Sequence, residues 1–183
     1  FAQNQKDSHK LQNSEEGVNV EKHIASSQKT FNERSAVQRN PLHEVFTSST
    51  CGYCPAANSN IDGIVLDPAN ADESTMIKYQ VSWPGSGDPY NTPEVQTRRS
   101  YYGVTGVPDF YVDATSESGT NYTQADFNTY KAVDSYFIID AQHTIVGDSI
   151  FVDVDLIPNM DWSGKCRVAV VEKTTYGNVG SNG

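Results

Sequence analysis

Leu42-His43-Glu44-Val45-Phe46-Thr47-Ser48-Ser49-Thr50-Cys51-Gly52-Tyr53-Cys54-Pro55 joins a strand-like run to a helix-like one through a pair of cysteines. Leu42 to Phe46 reads as a strand, and Thr47 to Thr50 as the loop that leaves it. From Pro55 to Val65 the apolar residues Ala57, Ile61, Ile64 and Val65 fall at i, i+4, i+7 and i+8, one face of a helix. Asp67-Pro68 and Asn70 stop that helix. Two cysteines separated by two residues therefore stand where a strand meets a helix. More than fifty residues further on, Gly106-Val107-Pro108 enters another strand-like run, Val107 to Val112.

A dithiol at a helix start has a specific chemistry. The unpaired N–H groups and the positive dipole end stabilise a negative sulfur. In C-x-x-C sites the free-cysteine pKa of about 8.5 falls to roughly 3.5–7.5. Cys51 is expected at the N-cap, exposed and attacking. Cys54, one turn in and more buried, is expected to resolve the mixed disulfide. Pro55, just inside the helix, loses no necessary hydrogen bond. Two other readings of the pair stand beside this one: an inert disulfide in a secreted module, and half of a zinc site. Structural zinc wants four ligands, and only Cys166 and scattered histidines remain.

The rest of the chain continues the alternation. Met76 to Trp83 reads as a strand and Pro84-Gly85-Ser86-Gly87-Asp88-Pro89 as a loop. Thr92-Pro93-Glu94 opens a helix, with Thr92 as N-cap and Pro93 at the first helical position, and Gly103 closes it after Tyr102. Residues 114–121 read as loop. Thr123 opens a further helix toward Asp134. Strand–helix alternation of this kind indicates an α/β domain. The pattern changes near residue 135. Tyr136–Ile139, His143–Val146, Ile150–Ile157 and Cys166–Glu172 read as strands, with Gly147-Asp148 as a hairpin turn. The face Ile150, Val152, Val154, Leu156 is expected to be buried. The organisation expected is a polar N-terminal arm over residues 1–40, an α/β domain over 41–134, and the start of an antiparallel β domain over 135–183. The Gly- and Asn-rich tail does not read as a finished C-terminus.

Composition narrows the partners. The chain has 183 residues, 23 acidic against 13 basic, for a formal charge of −10. Such a surface repels nucleic acid. No apolar run approaches the roughly 18–20 residues that span a bilayer. Phe1-Ala2-Gln3 has the look of a signal-peptide remnant. No cofactor and no metal site is implied. Asp153, Asp155 and Asp161 read as a solvated sheet face, Cys166 as a buried structural thiol, and His43 as a half-exposed strand residue, with modulation of the thiolate as its functional alternative. Trp83 reads as core. Tyr53 serves equally as an exposed aromatic lip for substrate.

Phe46, the motif Cys51-Gly52-Tyr53-Cys54-Pro55 and the distant Gly106-Val107-Pro108 together resemble a thioredoxin-like thiol–disulfide oxidoreductase, over residues 42 to about 134. The Gly-Tyr dipeptide resembles that of the bacterial periplasmic disulfide isomerase, and Val before the proline resembles the periplasmic disulfide oxidase. The loop after Trp83, the helix from Pro93 and the following β segment are similar to the secreted, outer-membrane-related thioredoxin-like proteins of Bacteroidetes. The resemblance implies a central mixed sheet flanked by helices, a cis Pro108 beside the dithiol, and a Val107 backbone that pairs an extended substrate. It also implies a periplasmic, outer-membrane-associated or secreted bacterial protein acting on protein thiols or disulfides. Three positions depart from the family. Val45 stands where thioredoxins bury an acid that takes the resolving thiol's proton, with Glu44 expected on the opposite face. Thr50 stands where Trp is usual, and the acidic loop around Asp88 is extra. These departures support an alternative, a non-catalytic envelope or surface module on the same fold, meeting an envelope partner through the β domain.

Overall fold

A computed structural model describes residues 37–70 and 72–177. Its centre is strand β2, Leu42–Thr47, which is covered on both faces. β3, Thr75–Gln80, pairs with it in parallel, and β4, Asp109–Val112, pairs on its other side antiparallel. β5, Thr115–Glu117, adds antiparallel to β4, giving a mixed four-stranded sheet in the order β3-β2-β4-β5. The segment 114–121, expected as loop, thus contains the short edge strand β5. Its Ser- and Thr-rich sequence carries little strand signal because its pairing is tertiary.

Three helices flank this sheet among the described residues. α1, Cys54–Val65, buries Cys54, Ala57, Ile61 and Val65. Asn70 Nδ2 donates to the Ile64 carbonyl at 2.7 Å, satisfying one orphan acceptor at its end. α2, Pro93–Tyr102, has Thr92 as N-cap and ends at Gly103, whose φ of 68° suits a residue without Cβ. α3, Gln124–Lys131, opens on a reciprocal capping box between Thr123 and Asp126. Two apolar clusters lie on either side of β2. Val45 packs with Ile61, Val65, Phe110, Val112 and Phe127, on the α1 and α3 side. Phe46 packs with Val81 and Val104, and with Tyr79, Trp83, Val95 and Tyr102, on the α2 side. Trp83 is therefore part of the core margin, as its sequence context indicates.

α3 stops three residues before the expected Asp134. There β6, Asp134–Ser135, pairs antiparallel with β1, Val37–Gln38. Residues 1–36, and with them most of the polar arm, lie outside the described residues, as do Ala71 and residues 178–183. The two strands expected at 136–139 and 143–146 are one, β7, Phe137–Val146, paired with β8, Ser149–Pro158. Asp140-Ala141-Gln142 between them holds neither Gly nor Pro, and the ladder runs through, with Asp140 opposite Asp155. Gly147, at φ 58°, makes the hairpin turn with Asp148. The face carrying Ile150, Val152, Val154 and Leu156 is not buried as expected. Ile150 is 43% exposed, and Ile145 opposite it 66%. The segment Cys166–Glu172 is no strand: it pairs with no neighbour among the described residues, and Val168 and Val170 stay exposed. Strand propensity alone does not make a strand without a partner.

Candidate functional site

β2 ends in a turn in which Cys51 N–H donates to the Ser48 carbonyl at 3.1 Å. Cys51 and Cys54 are joined in a disulfide, their Cα atoms 5.4 Å apart. Cys54 is the first residue of α1 and Tyr53 its N-cap, so Cys51 lies two residues before the cap rather than on it. Nor is Cys51 exposed as expected: it is 2% exposed and Cys54 1%. The helix start nevertheless reaches the first sulfur, for the Cys54 N–H donates to Cys51 Sγ at 3.1 Å. The same sulfur lies 3.5 Å from the Val107 carbonyl oxygen. The Val107–Pro108 peptide bond is cis. Chain segments more than fifty residues apart in sequence thus meet at Cys51, and Tyr53 stands beside them 84% exposed.

The loop after β3 closes over the residues that lead into the dithiol, and the sequence marked it only as extra. Thr50 Oγ1 donates to the Pro84 carbonyl at 2.6 Å. Asp88 is 5% exposed, and its carboxylate accepts from the Ser49 N–H at 2.8 Å and from the Tyr90 N–H at 2.9 Å. The Trp83–Pro84 bond is also cis, and the Arg99 guanidinium lies over the Trp83 ring at 4.5 Å. No local sequence signal marks this brace, whose tightest position is Gly87. Its φ is +76°, and a Cβ there would stand 2.3 Å from the Ser82 carbonyl oxygen.

Glu44 does face away from Val45, into the α2 side of the sheet. It is buried, with Arg98 donating to it from Nε at 2.7 Å and Nη2 at 2.8 Å. The hydroxyls of Tyr79 and Tyr102 donate to it as well. Burial pushes the carboxyl up, but the hydrogen bonds from Arg98, Tyr102 and Tyr79 and the Arg98 charge outweigh it, and its pKa lies below the usual value. The Tyr79 phenol is pushed up to about 12, first by burial and then by Glu44. Val45 itself is fully buried among apolar side chains.

His43 is not the half-exposed residue expected. It is fully buried, its Nε2 3.0 Å from the Tyr122 hydroxyl and its ring stacked on Phe110 and Phe127. Burial pushes its pKa down. It belongs to the α3-side core. A polar atom nearer the dithiol is Asn58, one turn beyond Cys54. Its Nδ2 donates to Thr47 Oγ1 at 3.0 Å, while its buried Oδ1 has no hydrogen-bond partner among the described residues. Cys166 is an exposed free thiol, not a buried one, because the segment that carries it joins no sheet among the described residues. Among the described residues no three His, Cys, Asp or Glu side chains gather as a metal site, and no helix is long and apolar enough to cross a membrane.

No protein-family model matches this chain, and no curated protein matches it. Two solved structures are similar to it. One is a protein of Agrobacterium tumefaciens, 18% identical, with a TM-score of 0.47 over 64% of this chain and 58% of that one. The other is HBP35 of Porphyromonas gingivalis, 15% identical, with a TM-score of 0.46 over 61% of this chain and 39% of that one. The match thus spans well under two thirds of the length of either. Among the described residues the chain is a mixed α/β protein with a four-stranded mixed sheet, three helices and a C-x-x-C disulfide at the start of one helix.

Proposed function

We propose that this chain is a thioredoxin-like thiol–disulfide oxidoreductase that acts outside the cytoplasm on protein thiols or disulfides. One observation carries the reading: a backbone N–H at the start of α1 and a carbonyl preceding a cis proline converge on the same sulfur, Cys51 Sγ. A donor aimed at a sulfur favours the thiolate, the form that attacks.

In the reductive direction, the Cys51 thiolate attacks one sulfur of a substrate disulfide. That S–S bond breaks, a Cys51–substrate disulfide forms, and the other substrate sulfur leaves as a thiolate that takes a proton from water. Cys54 then gives its proton to water and attacks Cys51 Sγ. The mixed disulfide breaks, the Cys51–Cys54 bond forms, and the second substrate thiolate leaves. Two electrons pass from the dithiol to the substrate disulfide; run backward, the same steps oxidise a substrate dithiol. The Val107 backbone, held by Pro108, pairs the substrate strand, and the exposed Tyr53 ring offers it an apolar surface. In this reading residues 41–134 are the redox domain and residues 135–183 a second, β-rich one.

One observation favours a second reading, a non-catalytic scaffold: Val45, at the position where the family carries its buried acid, lies among apolar side chains and offers no proton acceptor. Reduction of insulin by dithiothreitol separates the two. The wild-type chain accelerates it, and Cys51→Ser removes the acceleration. Equal rates for both proteins favour the scaffold.

A further inference from the structure

We propose that Asp88 is a positioning residue of the dithiol, holding the turn before Cys51 and biasing the Cys51–Cys54 pair toward its disulfide. The proposal rests on the reading of that pair as one that exchanges.

Asp88 sits in a built loop. Its own N–H donates to the Val81 carbonyl at 3.0 Å, and its carbonyl accepts from the Asn91 N–H at 3.1 Å. Asn91 Nδ2 ties the loop to the Gln80 carbonyl at 2.8 Å. Gly87 N–H donates to the Pro84 carbonyl at 3.0 Å, which also receives the Thr50 hydroxyl. These bonds aim one carboxylate oxygen at Ser49 N–H, two residues before Cys51. Ser49 and Cys51 are two Cα steps of about 3.8 Å apart, and since Cys51 N–H folds back onto the Ser48 carbonyl, the carboxylate stands on the order of 10 Å from the Cys51 sulfur. The other groups bonded to the segment from Ser48 to Cys54 are carbonyls, hydroxyls and backbone amides. Asp88 is the ionisable side chain bonded to it, among the described residues.

Two effects then act in the same direction. The carboxylate opposes the negative sulfur that the start of α1 favours, which disfavours the reduced pair. The bonds from Asp88 and Thr50 hold the turn in the geometry the disulfide has. At such a range, through an effective dielectric of about 20, a unit charge moves an equilibrium by roughly tenfold. An acidic loop that the chemistry does not need thereby acquires a use: it makes the pair a weaker oxidant.

The test is the equilibrium of the full chain with reduced and oxidised glutathione, read by thiol alkylation, together with the thiolate absorbance of the reduced protein against pH. In Asp88→Asn the constant moves about tenfold toward the dithiol, about 30 mV for a two-electron couple, and the Cys51 thiolate persists to lower pH. Thr50→Val removes the neighbouring bond and no charge, so its thiolate titration stays that of the wild type. Where Asp88→Asn does not fold, Asp88→Ser repeats the test. A constant within twofold of wild type, or a shift with an unmoved titration that Thr50→Val reproduces, overturns the proposal. A wild-type pair that does not exchange with glutathione at all refutes the oxidoreductase reading instead.

Discussion

Glu44 and Arg98 form a charged pair in which the carboxylate side chain is 1% exposed and the guanidinium 23%. Burying a charge is costly, and breaking such a pair by removing one partner leaves the cost uncompensated. Arg98→Ala is accordingly expected to destabilise the fold by about 3 kcal/mol, read from denaturant midpoints. The pH dependence has a definite sign. The folded carboxyl titrates below its unfolded value of 4.5, so its contribution is full above that pH and is lost as pH falls through the folded pKa. Glu44→Gln should flatten the acid limb of the stability profile below pH 4.5, and an unchanged limb would contradict this. At this scale the sequence was only half legible. The alternation of a strand turns Glu44 away from Val45, but its partner is 54 residues distant, and nothing local names Arg98. His43 misled for the same reason. Its hydroxyl and aromatic neighbours, Tyr122, Phe110 and Phe127, come from segments that no strand period reveals.

The helices were legible as elements because their ends are written locally. Thr92-Pro93 and Gly103 bracket α2, and the apolar stripe of α1 follows from spacing alone. The strands were less so, since a strand exists only with a partner. Thr115–Glu117 found one in β4, whereas Cys166–Glu172, richer in Val, found none among the described residues. The brace between Pro84 and Asn91 was legible as a loop but not as a support for the dithiol, because its contacts with Ser49 and Thr50 are tertiary. Gly87 is its most exacting position. Gly87→Ala meets both a positive φ and the Ser82 backbone, so a loss of more than about 1 kcal/mol is expected in thermal or denaturant unfolding. Wild-type stability in that variant would show that the loop adapts freely.

Over the whole molecule, the four-stranded sheet with α1 and α3 on one face and α2 on the other brings three distant segments to one place: the end of β2 with the start of α1, the loop after β3, and the approach to β4. The paired signals of a C-x-x-C at a helix start and a distant Val-Pro foretold two of these. The third carries no motif. Beyond residue 135 the hairpin of β7 and β8 presents Phe137, Ile139 and Ile145 on one face with Ile150, Val152 and Leu156. The chain also returns, with the Tyr90 hydroxyl bonded to the backbone of Tyr176. The function proposed for this chain depends on disulfide exchange by the Cys51–Cys54 pair, with Cys51 as the attacking sulfur. Mass-resolved alkylation of the two cysteines at neutral pH, across a redox titration, tests it most directly. A reversible two-electron transition in which Cys51 is labelled before Cys54 is expected. A pair that stays oxidised across the titration, or a Cys54 labelled first, would contradict it.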